Sequence, residues 1–289
     1  MKKILVLVLL ICTLANVALA APINYVSEKP SFINDPKAEW LEVVFLGMGA
    51  ADAIIIRDSV GYTMLVDAGP LTKDEGIIDK LKAEGVEEID MLFASHSHDD
   101  HVGGMIPIME QMPVKQFVTV FEPKSTRMHN KVCSVAKKEE VPIVLWSEDM
   151  QFNMKGIDIW TDRFKFDSIN NQSAQLHITH GDCSILLPGD IEAWAQKKLA
   201  ERLGDKLKAD IMKSPHHGIS PVTLEFLDVV KPDLAILTNG FFKSTKLYVD
   251  KMSLHLPKVK HLATFKNNVY LYSDGQAWYV YQDGVANES

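Results

Sequence analysis

Six consecutive residues carry most of the chemistry open to this chain: His96-Ser97-His98-Asp99-Asp100-His101. His96 and His98 are two positions apart, so in an extended segment both imidazoles point to the same side. Asp100 and His101 follow just after, where a helix is predicted to begin. One segment can then offer two ligands to one ion and two to a neighbouring ion. Imidazole with carboxylate suits zinc, and manganese or iron with less selectivity. The competing reading is a solvated polar loop. The apolar run at 91–94 before it and Gly103-Gly104 after it weigh against that, because active sites tend to sit on polar loops positioned by buried strands.

Such residues need rigid elements behind them. Apolar runs at 41–46, 53–56 and 62–66, separated by glycines, predict a strand meander. Helices are predicted over 73–84, 102–112 and 126–139, with strands at 91–94, 117–120 and 143–146. Two hairpins are predicted over 151–160 and 175–187, the second turning at Gly181-Asp182. Over 191–203, Ile191, Ala195, Leu199 and Leu203 share one helical face. Helices at 221–230 and 248–255 alternate with strands at 211–213, 234–237, 261–265, 269–272 and 278–281. Hairpins mixed with crossover helices in both halves predict an α/β fold, two sheets face to face with helices outside.

The spacing from His96 to His101, H-x-H-x-D-H, resembles the signature of the metallo-β-lactamase superfamily. The resemblance runs from about residue 40 to residue 282 and implies a four-layer αββα sandwich. The pattern most resembles the extracellular metallo-hydrolase domain of bacterial DNA-uptake competence proteins and their secreted relatives. It is also similar to choline-phosphate esterases of cell-wall teichoic acid. Phe45-Leu46-Gly47-Met48-Gly49-Ala50-Ala51-Asp52-Ala53 resembles the competence-type F-L-D-V-G-Q-G-D-A, with Gly47 and Ala51 departing and Asp52 retained. Leu65-Val66-Asp67-Ala68-Gly69 matches the strand–D-x-G element, which implies that Asp67 buttresses the metal loop; read alone, it is a turn aspartate. Asn170-Asn171-Gln172-Ser173 matches N-N-x-S, which brings Asn171 and Ser173 into the candidate set. Leu186-Leu187-Pro188-Gly189-Asp190 matches the strand ending in G-D. That implies Asp190 as a bridge between two ions; read alone, it is a helix N-cap. Ser214-Pro215-His216-His217-Gly218 matches P-H-H-G and implies one ligand to the second ion, His217 ahead of His216.

Two departures stand out. Many members carry a further histidine before the bridging aspartate, where this chain has Asn170-Asn171; His177 and His180 nearby read as strand histidines. The competence-type N-x-Y-G-H-P element is replaced by Asn239-Gly240-Phe241-Phe242-Lys243. The lysines between 243 and 266 read as a solvated face, and His129, Trp146 and Trp194 as structural.

The first twenty residues form a separate unit. Lys2 and Lys3 precede an apolar stretch ending in Ala18-Leu19-Ala20, the pattern of a signal peptide cut before Ala21. The alternative is an anchor that is never cut. Residues 21–38, with Pro22, Pro30 and Pro36, read as an irregular leader, and 39–289 as one hydrolase domain without a further membrane span. Cutting removes two lysines and no acid, so 28 basic residues face 38 acidic ones and the net charge moves from −8 to −10. A chain so acidic is not a general nucleic-acid binder. Cys133 and Cys183 remain, as one bridge or as two separate buried thiols.

These readings predict a secreted or periplasmic hydrolase with one or two zinc ions, manganese or iron being possible substitutes. His96, His98, Asp100, His101, Asp190 and His217 are the expected ligands. Asp100 also orients or deprotonates the water. The expected partner is a small-molecule or envelope-derived substrate, a phosphodiester or phosphocholine-type ester. A carboxylic ester, lactone or β-lactam is the alternative, and a non-catalytic binding module on the same scaffold the third.

Overall fold

The computed structural model describes residues 20–72, 76–120, 125–146, 150–163 and 168–284. The expected signal peptide, residues 1–20, lies outside the described residues but for Ala20.

The chain first lays down β1 (Ile23–Tyr25), β2 (Leu41–Phe45), β3 (Ile54–Asp58), β4 (Thr63–Val66), β5 (Met91–Phe93), β6 (Phe117–Thr119) and β7 (Ile143–Leu145). A second group follows: β8 (Gln151–Met154), β9 (Ile157–Asp162), β10 (Gln175–His180), β11 (Cys183–Leu187), β12 (Ile211–Lys213), β13 (Leu234–Leu237) and β14 (Lys260–Ala263). Finally β15 (Val269–Ser273) and β16 (Trp278–Gln282) return to the first group. Among the described residues one sheet runs β1-β16-β15-β2-β3-β4-β5-β6-β7 and the other β14-β13-β12-β11-β10-β9-β8.

Period-two alternation decides which side each residue faces. Val43, Phe45, Ile54, Ile56, Met64 and Val66 turn into the core between the sheets. Their neighbours Val44, Ile55 and Leu65 turn outward, under helices α1 (Ile77–Ala83), α3 (Met105–Gln111) and α4 (Arg127–Lys138). On the second sheet Leu186, Met212 and Ala235 face outward, under α5 (Ala193–Leu203), α6 (Leu224–Val230) and α7 (Lys243–His255). Central strands are buried on both faces, which is why they read as continuous apolar runs. The α/β sandwich of four layers, helices–sheet–sheet–helices, is therefore the observed architecture.

Two expectations are corrected and one open alternative is decided. Residues 21–38 are not wholly irregular: Ile23–Tyr25 pairs in parallel with β16, and Ala21 is buried in the inter-sheet core. The helix expected over 102–112 begins earlier, as α2 (Asp99–Val102), and resumes after Gly103-Gly104 as α3. Asp99 and Asp100 in the first turn of α2 favour that start. A Cβ on Gly104 would come within 2.0 Å of Ala68 O, so only glycine lets the loop after β4 lie against this turn. Cys133 and Cys183 are separate buried thiols in different core layers, so no bridge forms.

Candidate metal centre

Five strands deliver side chains to one edge of the sandwich. Asp67 follows β4, the histidine loop follows β5, Asp190 follows β11, His216 and His217 follow β12, and Thr238 follows β13. β4 and β5 are parallel, as are β11, β12 and β13, so these residues all emerge at C-terminal strand ends.

The histidine loop is held from behind by Asp67. Its Oδ1 accepts the Ser95 N–H at 2.8 Å, and its Oδ2 accepts Ser95 Oγ–H at 2.6 Å. The same Oδ2 lies 2.7 Å from His101 Nδ1. With Nδ1 held there, His101 turns Nε2 to the cleft, where a metal ion would take it as ligand. Ser95 Oγ also lies 3.1 Å from His96 Nδ1, which leaves His96 Nε2 facing His98 Nδ1 at 3.1 Å. Asp67 adopts a left-handed backbone with φ +57°.

Asp190 Oδ2 is the meeting point. It lies 3.1 Å from His101 Nε2, 3.2 Å from His217 Nε2, 3.9 Å from His96 Nε2 and 4.0 Å from His216 Nε2. Asp100 Oδ2 closes the group at 3.3 Å from His217 Nε2 and 3.9 Å from His101 Nε2. Two ligands of one tetrahedral zinc, each at about 2.0–2.1 Å, sit about 3.3 Å apart. His101–Asp190, His217–Asp190 and His217–Asp100 have nearly that spacing, and His101–Asp100 is wider at 3.9 Å. His217 Nε2 is buried and faces the carboxylate oxygens of Asp190 and Asp100, at 3.2 and 3.3 Å. Buried imidazoles and carboxylates turned onto one point are the donors a transition-metal ion takes, so the set fits an ion.

Ligand atoms of Asp52, His101, Asp190 and His217, all buried, also lie within 4.8 Å of one another. Asp52, however, approaches the Nδ1 side of both rings, 3.7 Å from His101 Nδ1 and 3.3 Å from His217 Nδ1. It sits behind the imidazoles rather than among their Nε2 atoms. His217 Nδ1 also meets Thr238 Oγ1 at 2.9 Å. His216 is half-buried and turns Nδ1 to Ser220 Oγ at 2.7 Å, which leaves it at the rim.

Asn171 and Ser173 secure the Asp190 loop. Ser173 Oγ accepts the Asp190 N–H at 3.0 Å, and Asn171 Oδ1 accepts the Glu192 N–H at 2.7 Å. Gly189 has φ +62°, and a Cβ there would meet Ser173 Cβ at 2.6 Å. Helix α5 is N-capped at Glu192, so Asp190 does not serve as its cap. His177 and His180 stay apart from this edge. His177 donates Nε2–H to Lys208 O at 2.8 Å, and His180 Nδ1 meets Ser273 Oγ at 3.0 Å.

One central residue escaped the sequence reading. Lys213, 1 % exposed, ends β12 and points between the sheets. Its ammonium reaches Asp52 Oδ2 at 2.5 Å, Asp190 Oδ1 at 3.0 Å and Gly189 O at 3.0 Å. All three donors are used. Because Lys213 takes Oδ1, Asp190 presents Oδ2 alone to the imidazoles. The available signal was a lysine inside an otherwise apolar strand, two residues before Pro215-His216-His217.

Electrostatics match this geometry. Burial disfavours protonation of His217, but the carboxylates of Asp190 and Asp52 outweigh it and push the ring up to about 10. His101 is likewise buried, yet raised by Asp190 and Asp67. Burial would raise Asp100, but the His217 hydrogen bond and the charge of His101 bring it down to about 2. Burial and then repulsion by His101 drive His96 well down. Burial raises Asp67. The surplus of carboxylates over the single ammonium is a charge pattern that a divalent cation satisfies.

Lys213→Met should therefore leave Asp52 and Asp190 buried without their cation. We expect a loss of about 3–5 kcal/mol of stability, read by urea unfolding of protein freed of metal with a chelator. A change under about 1 kcal/mol would contradict this role for Lys213.

Residues 46–237 match the Metallo-beta-lactamase superfamily. The chain is 30% identical over 176 residues to ComE operon protein 3 of Bacillus subtilis, covering 57% of this chain and 22% of that protein. It is 26% identical over 211 residues to Recombination protein 2 of Haemophilus influenzae, covering 71% of this chain and 25% of that protein. The chain thus spans about a quarter of the length of these relatives. Among solved structures, the metallo-beta-lactamase fold protein YhfI of Bacillus subtilis matches with a TM-score of 0.53 at 12% identity, covering 77% of this chain and 95% of that one. CmlA, a diiron beta-hydroxylase from Streptomyces venezuelae, matches with a TM-score of 0.50 at 16% identity, covering 79% and 52%. The motif order, the sandwich and the convergence on Asp190 agree with these likenesses, and the chain, similar to competence proteins, belongs to the metallo-beta-lactamase superfamily.

Proposed function

We propose that the protein acts outside the cytoplasm, hydrolysing a phosphodiester or phosphocholine-type ester at a centre of one or two transition-metal ions, zinc foremost. The observation that carries the metal centre is the approach of His101 Nε2 and His217 Nε2 to one oxygen of Asp190. Asp100, His101, Asp190 and His217 would hold one ion; His96, His98 and Asp190 would hold the other. A bound zinc ion lowers the pKa of its water toward neutrality and polarises the attacked oxygen. Asp100, half-exposed and ionised, is the group placed to orient that water. Asp67 and Asp52 fix the imidazoles, and Lys213 holds Asp190 in register. Charge build-up on the attacked oxygen favours a phosphoryl centre, where catalysis is largely positioning and electrostatic stabilisation. Manganese or iron suits the same donors, and carboxylic esters, lactones and β-lactams remain the alternative substrates.

A second reading, a nucleic-acid phosphodiester, draws on the likeness to proteins named for competence and recombination. The net charge of −8 weighs against general nucleic-acid binding.

The test joins metal content to a substrate screen. Elemental analysis of protein grown with zinc should find about one to two ions per chain. A chromogenic phosphodiester should turn over faster than a chromogenic carboxylic ester or β-lactam, with a short single-stranded oligonucleotide as a further arm. Absence of metal would sink the metal centre. Preference for the carboxylic ester or the β-lactam would sink the phosphodiester.

A further inference from the structure

Residues 20–25 are seated in an unusual way. Ala20 is exposed, but Ala21 is only 4 % exposed and packs in the core between the sheets. Pro22 O accepts the Trp278 N–H at 2.8 Å, and Ile23 is in register with Trp278. On the other side the Ala21 backbone nitrogen lies 3.1 Å from Asp210 Oδ1. Asp210 immediately precedes β12.

The Asp210 carboxylate is itself buried. Its Oδ2 accepts Ser184 N–H at 2.7 Å, Ser184 Oγ–H at 3.0 Å and Trp278 Nε1–H at 3.3 Å. Every one of these donors is neutral. Among the described residues no ammonium, guanidinium or imidazole pairs with Asp210. A buried carboxylate without a counter-charge is destabilising, and hydrogen bonds alone compensate it only in part. Of the two backbone nitrogens beside it, Ala21 N and Ser184 N, Ala21 N is the one that follows small residues suited to a signal-peptide cut.

We propose that the chain is cut between Ala20 and Ala21 and that the new α-ammonium of Ala21 forms a buried ion pair with Asp210. This rests on the export reading of the first twenty residues. One water is consumed: the Ala20–Ala21 amide becomes a carboxylate on Ala20 and an amine on Ala21, which takes up a proton. The endopeptidase is of the class that removes signal peptides, and it acts on the chain before folding, so the seat of Ala21 need not open. Ala18 and Ala20 supply the small residues such a cut requires. The uncut chain has only a neutral amide against Asp210. Cutting therefore strengthens the joint between β1, β16 and the start of β12, and the mature protein is more stable than its precursor.

The experiment starts from the full chain expressed in an exporting bacterium. N-terminal sequencing of the exported protein should read Ala21-Pro22-Ile23. Folded, its α-amine should react with an amine-directed acylating reagent at least about tenfold more slowly than in urea. Asp210→Asn should then be combined with the start site, comparing the chain begun at Ala21 with one begun at Ala20. The Tm loss from Asp210→Asn should be at least about 6 °C larger in the Ala21 form, because only that form breaks a charged pair. A retained leader would overturn the cut and with it the export reading; a different mature N-terminus would overturn the cut at Ala21 and leave the export reading standing. A start at Ala21 with an α-amine as reactive folded as unfolded, or equal Tm losses in both forms, would overturn the ion pair and leave the export reading intact.

Discussion

Asp190→Asn should lose metal from both positions at once, with affinity falling by more than the 10–100-fold typical of changes made behind a ligand. The expectation follows from one oxygen. Asp190 Oδ2 stands 3.1 Å from His101 Nε2 and 3.2 Å from His217 Nε2 on one side, and 3.9 Å from His96 Nε2 on the other. An amide is a poorer ligand than a carboxylate, and it can also turn its NH2 toward the imidazoles. Lys213 would still hold Asp52, so the fold should survive. His217→Ala is the companion variant. It removes a donor from one set only, so some metal should stay at the His96–His98 side. Elemental analysis of the wild type and both variants separates the cases. Asp190→Asn protein that keeps the wild-type metal content would refute the shared oxygen, and so would His217→Ala protein that loses all its metal.

His96→Ala combined with His98→Ala should lower hydrolysis by at least about 1,000-fold, since a bound metal brings the pKa of water from 15.7 to about 7. His177→Ala and His180→Ala should stay within a few fold of wild type. The four histidines lie within 85 residues of one another, yet their surroundings differ. His96 Nε2 and His98 Nδ1 face each other at 3.1 Å beside Asp190. His177 stacks on Trp160 with ring centroids 5.1 Å apart and bonds Lys208 O. His180 lies at the β10–β11 turn, the end of β11 away from Asp190. Losing either should cost about 1–2 kcal/mol of stability through its hydrogen bond and little activity. Rates and metal content of the four variants decide the matter. If His177→Ala or His180→Ala lost as much metal as His96→Ala, the assignment of the first position would fail.

Local features of this protein were legible without a structure. The histidine segment was legible because spacing within six residues does not depend on the rest of the fold. The strands around Val43, Ile55, Leu65 and Leu186 were legible because burial on both faces leaves an apolar run. The β10–β11 hairpin declared itself by Gly181-Asp182, where Gly181 takes φ +57°. The resemblance carried by D-x-G, N-N-x-S, G-D and P-H-H-G, in that order, implied the same sandwich that the alternation of strands and helices predicted.

Other features were decided only when the two sheets closed on each other. Asp52 and Asp100 are both motif carboxylates, 48 residues apart; only the packed loops put Asp52 behind the rings at Nδ1 and Asp100 in front at Nε2. His216 and His217 are adjacent, and their left-handed backbones, φ +49° and +53°, decide which ring turns to Asp190. Lys213 reads as an ordinary strand-end lysine until Asp52 from one sheet and Asp190 from the other meet its ammonium. Three prolines made residues 21–38 look irregular, because the edge of β16 that captures Ile23 lies more than 250 residues further along. Sequence sets which groups are available and which way neighbouring side chains alternate. Contacts across such separations depend on chain closure, which carries an entropic cost that only the completed core offsets, so they have no signature in any single segment.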